Sequence, residues 1–152
     1  MAHPGGRPPE YNEEILIKTR EYLDSCEDEM EQVLEMENEE KGYQKYKTKL
    51  KVKLPTIEGL AVHLKIHKDT IYEWEKAKNE DGSLKYPEFS DAISELRAKQ
   101  ARELVNKGLS GDYNPTIAKV LLAKHGYKDA QEVDQNIKGS ISLTDLFNKA
   151  KE

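Results

Sequence analysis

Residues 56–78 constrain the fold more than any other part of this chain, because their apolar side chains follow the spacing of two short helices joined by a tight turn. Thr56 suits the N-cap of the first helix, residues 65–67 would form the turn, and the second helix would run over residues 68–78. The side chains that such a pair must bury are Leu60, Leu64, Ile66, Ile71 and Trp74. This spacing is typical of a helix-turn-helix, whose second helix enters the major groove of DNA.

The predicted turn departs from the usual pattern at one position. A residue with positive φ is expected there, and this chain has Lys65 instead of glycine, although lysine adopts that conformation only at a cost. A helical pair that only packs is therefore the alternative interpretation. If the pair binds DNA, its second helix should supply the contacts. The candidate DNA-binding residues are His67, Lys68, Thr70, Tyr72 and Lys76.

The formal net charge of −5 disfavours a nucleic-acid partner, but the distribution of charge along the chain reverses that inference. Residues 1–40 contain 3 basic and 13 acidic side chains, residues 41–78 contain 10 and 4, and residues 79–152 contain 11 and 12. The positive block includes the predicted helix-turn-helix. We therefore expect a local positive field where DNA would dock.

Two adjacent blocks of opposite charge precede the helix-turn-helix. Eight acidic residues lie within residues 27–40, and six lysines follow within residues 41–53, where several alternate with other residues at a period of two. This alternation predicts a strand, which would pair with residues 31–37 in a hairpin that turns near Gly42. The competing interpretation continues the first helix through Met36. The lysines that would either contact phosphates or form a solvated face are Lys47, Lys49, Lys51 and Lys53.

Helical signals dominate the remainder, so we expect a mainly α fold in four parts. A flexible arm over residues 1–12 precedes a DNA-binding domain over residues 13–80, which holds the helix-turn-helix and the hairpin. The first helix of that domain would span about residues 13–30. A helical oligomerisation region over residues 81–128 and a mobile tail with one short helix over residues 129–152 follow.

The oligomerisation region is predicted to be an antiparallel pair of helices. The first helix begins at Pro87 and is ended by Gly108 and Gly111, and the second covers residues 116–124 after an Asn114 cap. Such a pair buries little surface alone, so it should pack on the first domain or on its copies in an oligomer. The residues expected to hold the oligomer together are Phe89, Ile93, Leu96, Leu104, Ile117 and Leu121.

The tail has one amphipathic segment, which would start near Ser142 and present an apolar face to a groove on a partner protein. An isolated helix of this length is marginal in water, so it should fold on binding. The alternative is that the segment folds back on its own chain. The candidate partner-binding residues are Leu143, Leu146 and Phe147.

No catalytic, cofactor or metal site is predicted. His63 and His67 are four residues apart, but the proposed turn separates them, and a single cysteine, Cys26, excludes a multi-cysteine zinc site. The sequence contains neither a phosphate-binding glycine loop nor a nucleophile motif. It has no apolar run near the roughly 20 residues that span a bilayer. We therefore expect a soluble, intracellular protein that is not an enzyme.

Residues 54–129 together resemble the small terminase subunits of tailed bacteriophages, which are DNA-packaging proteins. Lys65 departs from the glycine that is common at its position. The most specific parts of the resemblance are Tyr72 and Trp74, Glu88-Phe89-Ser90, Asn114-Pro115 and His125-Gly126-Tyr127.

The resemblance implies a protein that recognises the viral packaging site and recruits the large terminase subunit, whose ATPase and nuclease it modulates. It further implies no catalytic activity, a ring-shaped homo-oligomer with the DNA-binding helices outside, and action in the cytoplasm of the infected bacterium. The alternative is a transcription regulator that uses the same helix-turn-helix as a dimer on a palindromic site. Native mass spectrometry would separate the two by stoichiometry.

Overall fold

The computed structural model describes residues 9–128 and 148–150, and within them it contains five helices and one antiparallel β-hairpin. The predicted mainly α fold with a small hairpin is confirmed. No helix of the described part is long and apolar enough to cross a membrane. The elements in chain order are α1 (Glu13–Ser25), β1 (Glu29–Asn38), β2 (Tyr43–Lys51), α2 (Ile57–Leu64), α3 (Lys68–Lys76), α4 (Pro87–Ser110) and α5 (Pro115–Ala123).

A first hydrophobic core joins α1, α2, α3 and the first half of α4. On α4, Phe89, Ile93 and Leu96 recur at helical spacing, and all three are buried against the other helices. Tyr11 also packs there, although it lies in the predicted flexible arm, and its ring stacks on that of Tyr86 with 4.0 Å between centroids. This core therefore extends across residue 80. The remaining buried members are Leu23, Ile57, Leu60, Ala61, Leu64, Ile71 and Trp74.

Helix α1 is shorter than predicted, because it ends at Ser25 instead of near residue 30. Asn12 caps its first turn, with its side chain accepting a hydrogen bond from the Ile15 amide. The last turn contains no basic residue, and the following residues 27–29 are all acidic. Negative charge is unfavourable at the negative end of a helix dipole, so this run ends the helix.

The hairpin is present, and the competing interpretation of a helix continuing through Met36 is wrong. The acidic and lysine-rich blocks pair across the ladder as predicted, with Glu29 opposite Lys51 and Glu31 opposite Lys49. A bulge interrupts the register after Leu34. All of β1 is exposed, as is β2 except for a half-buried Leu50 near its end.

A second, smaller core lies where α4 and α5 meet, around Leu104, Tyr113 and Ala118. The α4–α5 pair is antiparallel, since Leu104 meets Ala118 while the earlier Gln100 contacts the later His125 at 2.7 Å. Contrary to expectation, Gly108 does not end α4, which continues to Ser110. Gly111 follows with a φ of 79°, a conformation that glycine adopts without strain.

The base of the hairpin is tied to the second core through Asp28, which precedes β1. One carboxylate oxygen accepts a hydrogen bond from the Lys53 amide at 2.7 Å, and the other accepts one from the Tyr113 hydroxyl at 2.6 Å. Burial and the nearby Asp28 carboxylate raise the pKa of Tyr113 well above its usual range. Gln100 of α4 also donates to the Pro55 carbonyl, at 2.8 Å. These bonds fix the hairpin base against α4 and α5.

Candidate nucleic-acid interface

Helices α2 and α3 are joined by the tight turn that the sequence predicted, over residues 65–67. Lys65 has a φ of 57° and a ψ of 41°, so the lysine does adopt the left-handed conformation. The Ile66 amide donates to the Ala61 carbonyl at 3.1 Å, which satisfies the end of α2. At the other end, the Thr56 hydroxyl caps α2 by accepting from the Gly59 amide at 2.8 Å. Local side-chain and backbone chemistry therefore sets both ends of α2.

Helix α3 is anchored by Trp74 and exposes one polar face. The Trp74 ring contacts those of Tyr11 and Phe89 edge-on, with centroids 5.5 and 5.9 Å apart. Thr70, a predicted DNA-binding residue, is buried, because it follows the first turn on the side that faces the core. Tyr72 is half-buried. The exposed residues on this face of α3 and its N-cap are His67, Lys68, Asp69, Glu73 and Lys76.

His67 has a structural role at the start of α3. Its Nδ1 atom accepts a hydrogen bond from the Asp69 amide at 3.3 Å, so the imidazole caps the helix. His63 lies on α2, where its ring approaches that of Tyr22. Within the described residues, no group of three His, Cys, Asp or Glu side chains could hold a metal ion.

The exposed charges of α3 cancel, although the net charge of residues 41–78 is positive. Lys68 and Lys76 are positive, whereas Asp69 and Glu73 are negative. The third acidic residue of α3 is Glu75. It forms a two-pronged ion pair with Arg97 of α4, and one of the two contacts is 2.9 Å long. One copy of α3 therefore offers only two cationic contacts, Lys68 and Lys76, to a DNA backbone.

The hairpin lysines are also compensated by acidic neighbours. Lys51 and Lys49 each face a glutamate across the ladder, and Lys53 lies 2.6 Å from a Glu29 carboxylate oxygen. Lys47 differs, because its cross-strand partner is Val33. Lys47, Lys49 and Lys51 share one exposed face, as the period of two predicted. The face exists, but its positive potential is weakened by the glutamates on the same face.

Most of the predicted oligomerisation residues are buried in the cores of a single chain. Phe89, Ile93 and Leu96 belong to the first core and Leu104 to the second, so these four have no surface to offer another copy. Leu121 is half-buried, and Ile117 is 60% exposed. An apolar stripe predicts that a helix face is covered, but it does not say by which chain. The predicted partner-binding residues Leu143, Leu146 and Phe147 lie outside the described residues.

Sequence reasoning missed Tyr11, Asp28 and an apolar groove beside α5. Tyr11 directly precedes the Asn12 cap, the position of a hydrophobic staple, and that pattern could have placed it in the core. Asp28 gave no such signal, since it stands in a run of acidic residues. The groove has a volume of about 400 Å³ and lies between the end of α4 and α5.

Comparison with known proteins identifies the family. The sequence model of the family described as DNA-packaging protein gp3 matches residues 6–133, and the chain therefore belongs to that family. It is also 46% identical over 81 residues to protein p17 of Acyrthosiphon pisum secondary endosymbiont phage 1. That alignment covers 53% of this chain and 54% of p17, so the chain spans about half the length of this relative. No solved structure matches.

Proposed function

We propose that this protein is a small terminase subunit that recognises viral DNA for packaging and recruits and regulates the large subunit, an ATPase and nuclease. Its membership of the DNA-packaging family, matched over residues 6–133, carries this proposal. That range includes all five helices and the hairpin. The protein would act in the cytoplasm of the infected bacterium and have no catalytic role itself.

The α2–α3 pair is the element proposed to contact DNA. Its turn and caps hold α3 rigidly against the first core, and the outer face of α3 is exposed over its whole length. Lys68 and Lys76 would contact phosphates. His67, which precedes Lys68, and Tyr72, which lies between the two lysines in sequence, would contact base edges. The exposed lysine face of β2 would add phosphate contacts.

Several copies acting together would overcome the small charge of each α3. Binding sites linked in one oligomer reinforce each other, because the second contact with the same DNA becomes intramolecular. The α4–α5 region supports such self-association, since Leu109, Ile117 and Val120 remain exposed on it. The proposed oligomer is a ring. In this proposal residues 13–80 bind DNA and residues 81–128 associate, although one core connects them.

The large subunit is proposed to contact the C-terminal segment through Leu143, Leu146 and Phe147, whose spacing in the sequence would place them on one face of a helix. Deleting residues 140–152 should then leave DNA binding and oligomer size unchanged while stimulation of the large subunit's ATPase is lost. Stimulation that persists undiminished would move the contact to another surface.

The DNA-binding proposal is tested by replacing Lys68 and Lys76 with alanine and measuring binding to double-stranded viral DNA by fluorescence anisotropy. We expect the Kd to rise several-fold at moderate salt, and the native protein to lose affinity steeply with added salt, since each phosphate contact contributes a slope of about −0.9. Lys18→Ala with Arg102→Ala removes the same charge elsewhere and should leave the Kd unchanged. An unchanged Kd for the α3 variant with native circular dichroism would exclude α3 as the DNA contact.

Stoichiometry tests the same proposal against the alternative of a regulator. Native mass spectrometry of the full chain should show a closed oligomer of more than two copies. A dimer that binds a palindromic site would instead support a helix-turn-helix transcription regulator.

A further inference from the structure

The β1–β2 hairpin exposes apolar side chains that nothing in the described part of the chain covers. Met30, Leu34 and Tyr46 share one face by their register, whereas Val33 and Met36 lie on the other. Met36 is 57% exposed. A two-stranded hairpin is at best marginally stable alone in water. The ribbon beyond its anchored base therefore gains stability from any surface that covers it.

A second apolar surface that no described residue covers is the groove between the end of α4 and α5, with a volume of about 400 Å³. Leu109 on its edge is 84% exposed. Lysines 119 and 128 also line it, so the groove combines an apolar floor with a basic rim. The apolar lining residues that matter here are Leu104, Val105, Leu109, Leu122 and Tyr127.

The hairpin base and this groove lie on neighbouring faces of α5. Val52 and Leu54, which follow β2, line a separate groove of about 270 Å³ together with Ile117 of α5. The larger groove is instead lined by Lys119 and Leu122, on the next face of the same helix, and the two grooves share Ala118. Asp28 and Leu50 fix the hairpin base on the first face, and no residue of the hairpin lines the larger groove of its own chain.

The two surfaces also carry opposite charge. The distal part of the hairpin has four glutamates at positions 35, 37, 39 and 40 and two lysines at 41 and 45. Residues 105–128 have four lysines, at positions 107, 119, 124 and 128, and one acidic residue, Asp112. An acidic, partly apolar tip thus matches an apolar groove with a basic rim.

We infer that the hairpin tip of one copy, residues 33–46, docks into the α4–α5 groove of a second copy of this chain. This inference rests on the self-association proposed above and assigns it two surfaces. The contact joins unlike surfaces, so it is heterologous and repeats from copy to copy. It also covers the apolar residues that each chain leaves exposed.

Crosslinking of the full-length chain tests this contact. A variant with both Met36→Cys and Leu109→Cys should form a ladder of covalent oligomers with a flexible bismaleimide, while each single variant stays monomeric on a denaturing gel. Cys26 is buried and present in every sample, so the native chain gives the background level of crosslinking through this cysteine. Dimers from Met36→Cys alone would show hairpin-to-hairpin contact, and an intrachain crosslink in the double variant would show cis docking. Either result overturns the inference.

Charge reversal gives an independent test by sedimentation velocity. Glu39→Lys with Glu40→Lys should weaken association at least tenfold, as should Lys119→Glu with Lys128→Glu, and combining all four should restore it. Glu21→Lys with Asp24→Lys on α1 is the matched control and should leave association unchanged. If the native chain is monomeric, the proposed self-association itself fails. If the native chain associates but neither reversal has an effect, only the hairpin contact is wrong.

Discussion

Replacing Gly59 with alanine is expected to destabilise the contact between α1 and α2, although alanine usually favours a helix. A Cβ atom at this position would lie 2.2 Å from the Tyr22 hydroxyl oxygen and 2.9 Å from Thr56 Oγ1. That hydroxyl accepts a hydrogen bond from the Thr56 amide at 3.1 Å and donates one to the Thr56 carbonyl at 3.3 Å. The alanine therefore cannot be accommodated unless Tyr22 moves away from these partners.

The change in the free energy of unfolding follows from one stabilising and two destabilising contributions. Alanine in place of glycine in an open helix position stabilises by about 0.5–1 kcal/mol. Over-packing costs about 1–3 kcal/mol, and each neutral hydrogen bond that Tyr22 loses costs about 1 kcal/mol. Since both bonds to Thr56 are lost, we expect a net loss of about 2–4 kcal/mol for Gly59→Ala. Gly108→Ala in α4 is the matched control, because its nearest neighbour would be the Ala118 Cβ at 3.8 Å, and it should stabilise instead.

A double-mutant cycle with Tyr22→Phe isolates the clash. Removing the hydroxyl eliminates the closest contact, although the ring Cζ atom would remain 3.2 Å from the new Cβ. Both hydrogen bonds to Thr56 are already absent in that background, so Gly59→Ala should cost about 2 kcal/mol less there than in the native chain. The assay is urea unfolding followed by circular dichroism at one fixed protein concentration. Additive effects in the cycle, or a Gly59→Ala variant as stable as Gly108→Ala, would refute this account of the α1–α2 contact.

Three further predictions concern the same framework. Trp74→Ala should lower the free energy of unfolding by about 3–5 kcal/mol in urea, because a buried ring with two aromatic neighbours is lost. Lys65→Gly should leave the urea midpoint unchanged or raised, whereas Lys65→Val should lower it, since the left-handed conformation costs a non-glycine residue about 1–2 kcal/mol. Because the pKa of Tyr113 is raised in the folded protein, its contribution to the free energy of unfolding is complete below about pH 10 and is lost as the pH rises further. Tyr113→Phe should therefore reduce the loss of stability above that pH, and an identical pH profile would contradict this.

Local chemistry made the bounds of several elements predictable from the sequence. The Asn114 side chain accepts hydrogen bonds from the amides of Thr116 and Ile117, at 3.0 and 3.2 Å, and α5 begins where this cap predicts. The same holds for α2 with its Thr56 cap and for the hairpin turn, where Gly42 has a φ of 57°. These signals require only neighbouring residues, so one sequence is enough to read them.

Features that depend on distant contacts were not predictable in the same way. The apolar stripe on α4 correctly indicated a covered face. It is covered by α1, α2 and α3 of the same chain, which only the tertiary structure reveals. The local excess of positive charge was likewise counted along the sequence. The ladder then placed Glu29 and Glu31 opposite two of the lysines, and Arg97, from outside the counted block, neutralised Glu75. Charges that are separated in sequence can cancel in space.

The Asp28 contacts link the proposed self-association to a closed ring. Its two carboxylate oxygens join the segment after β2, through Lys53, to the turn before α5, through Tyr113. These bonds hold the hairpin base and α5 in one orientation, so the base and the groove keep the same relative angle in every copy. A heterologous contact closes into a ring only if that angle is constant, whereas a mobile hairpin would also permit open chains of copies. Asp28→Asn can keep the Lys53 contact while weakening the bond from Tyr113, so it should broaden the distribution of oligomer sizes without abolishing association.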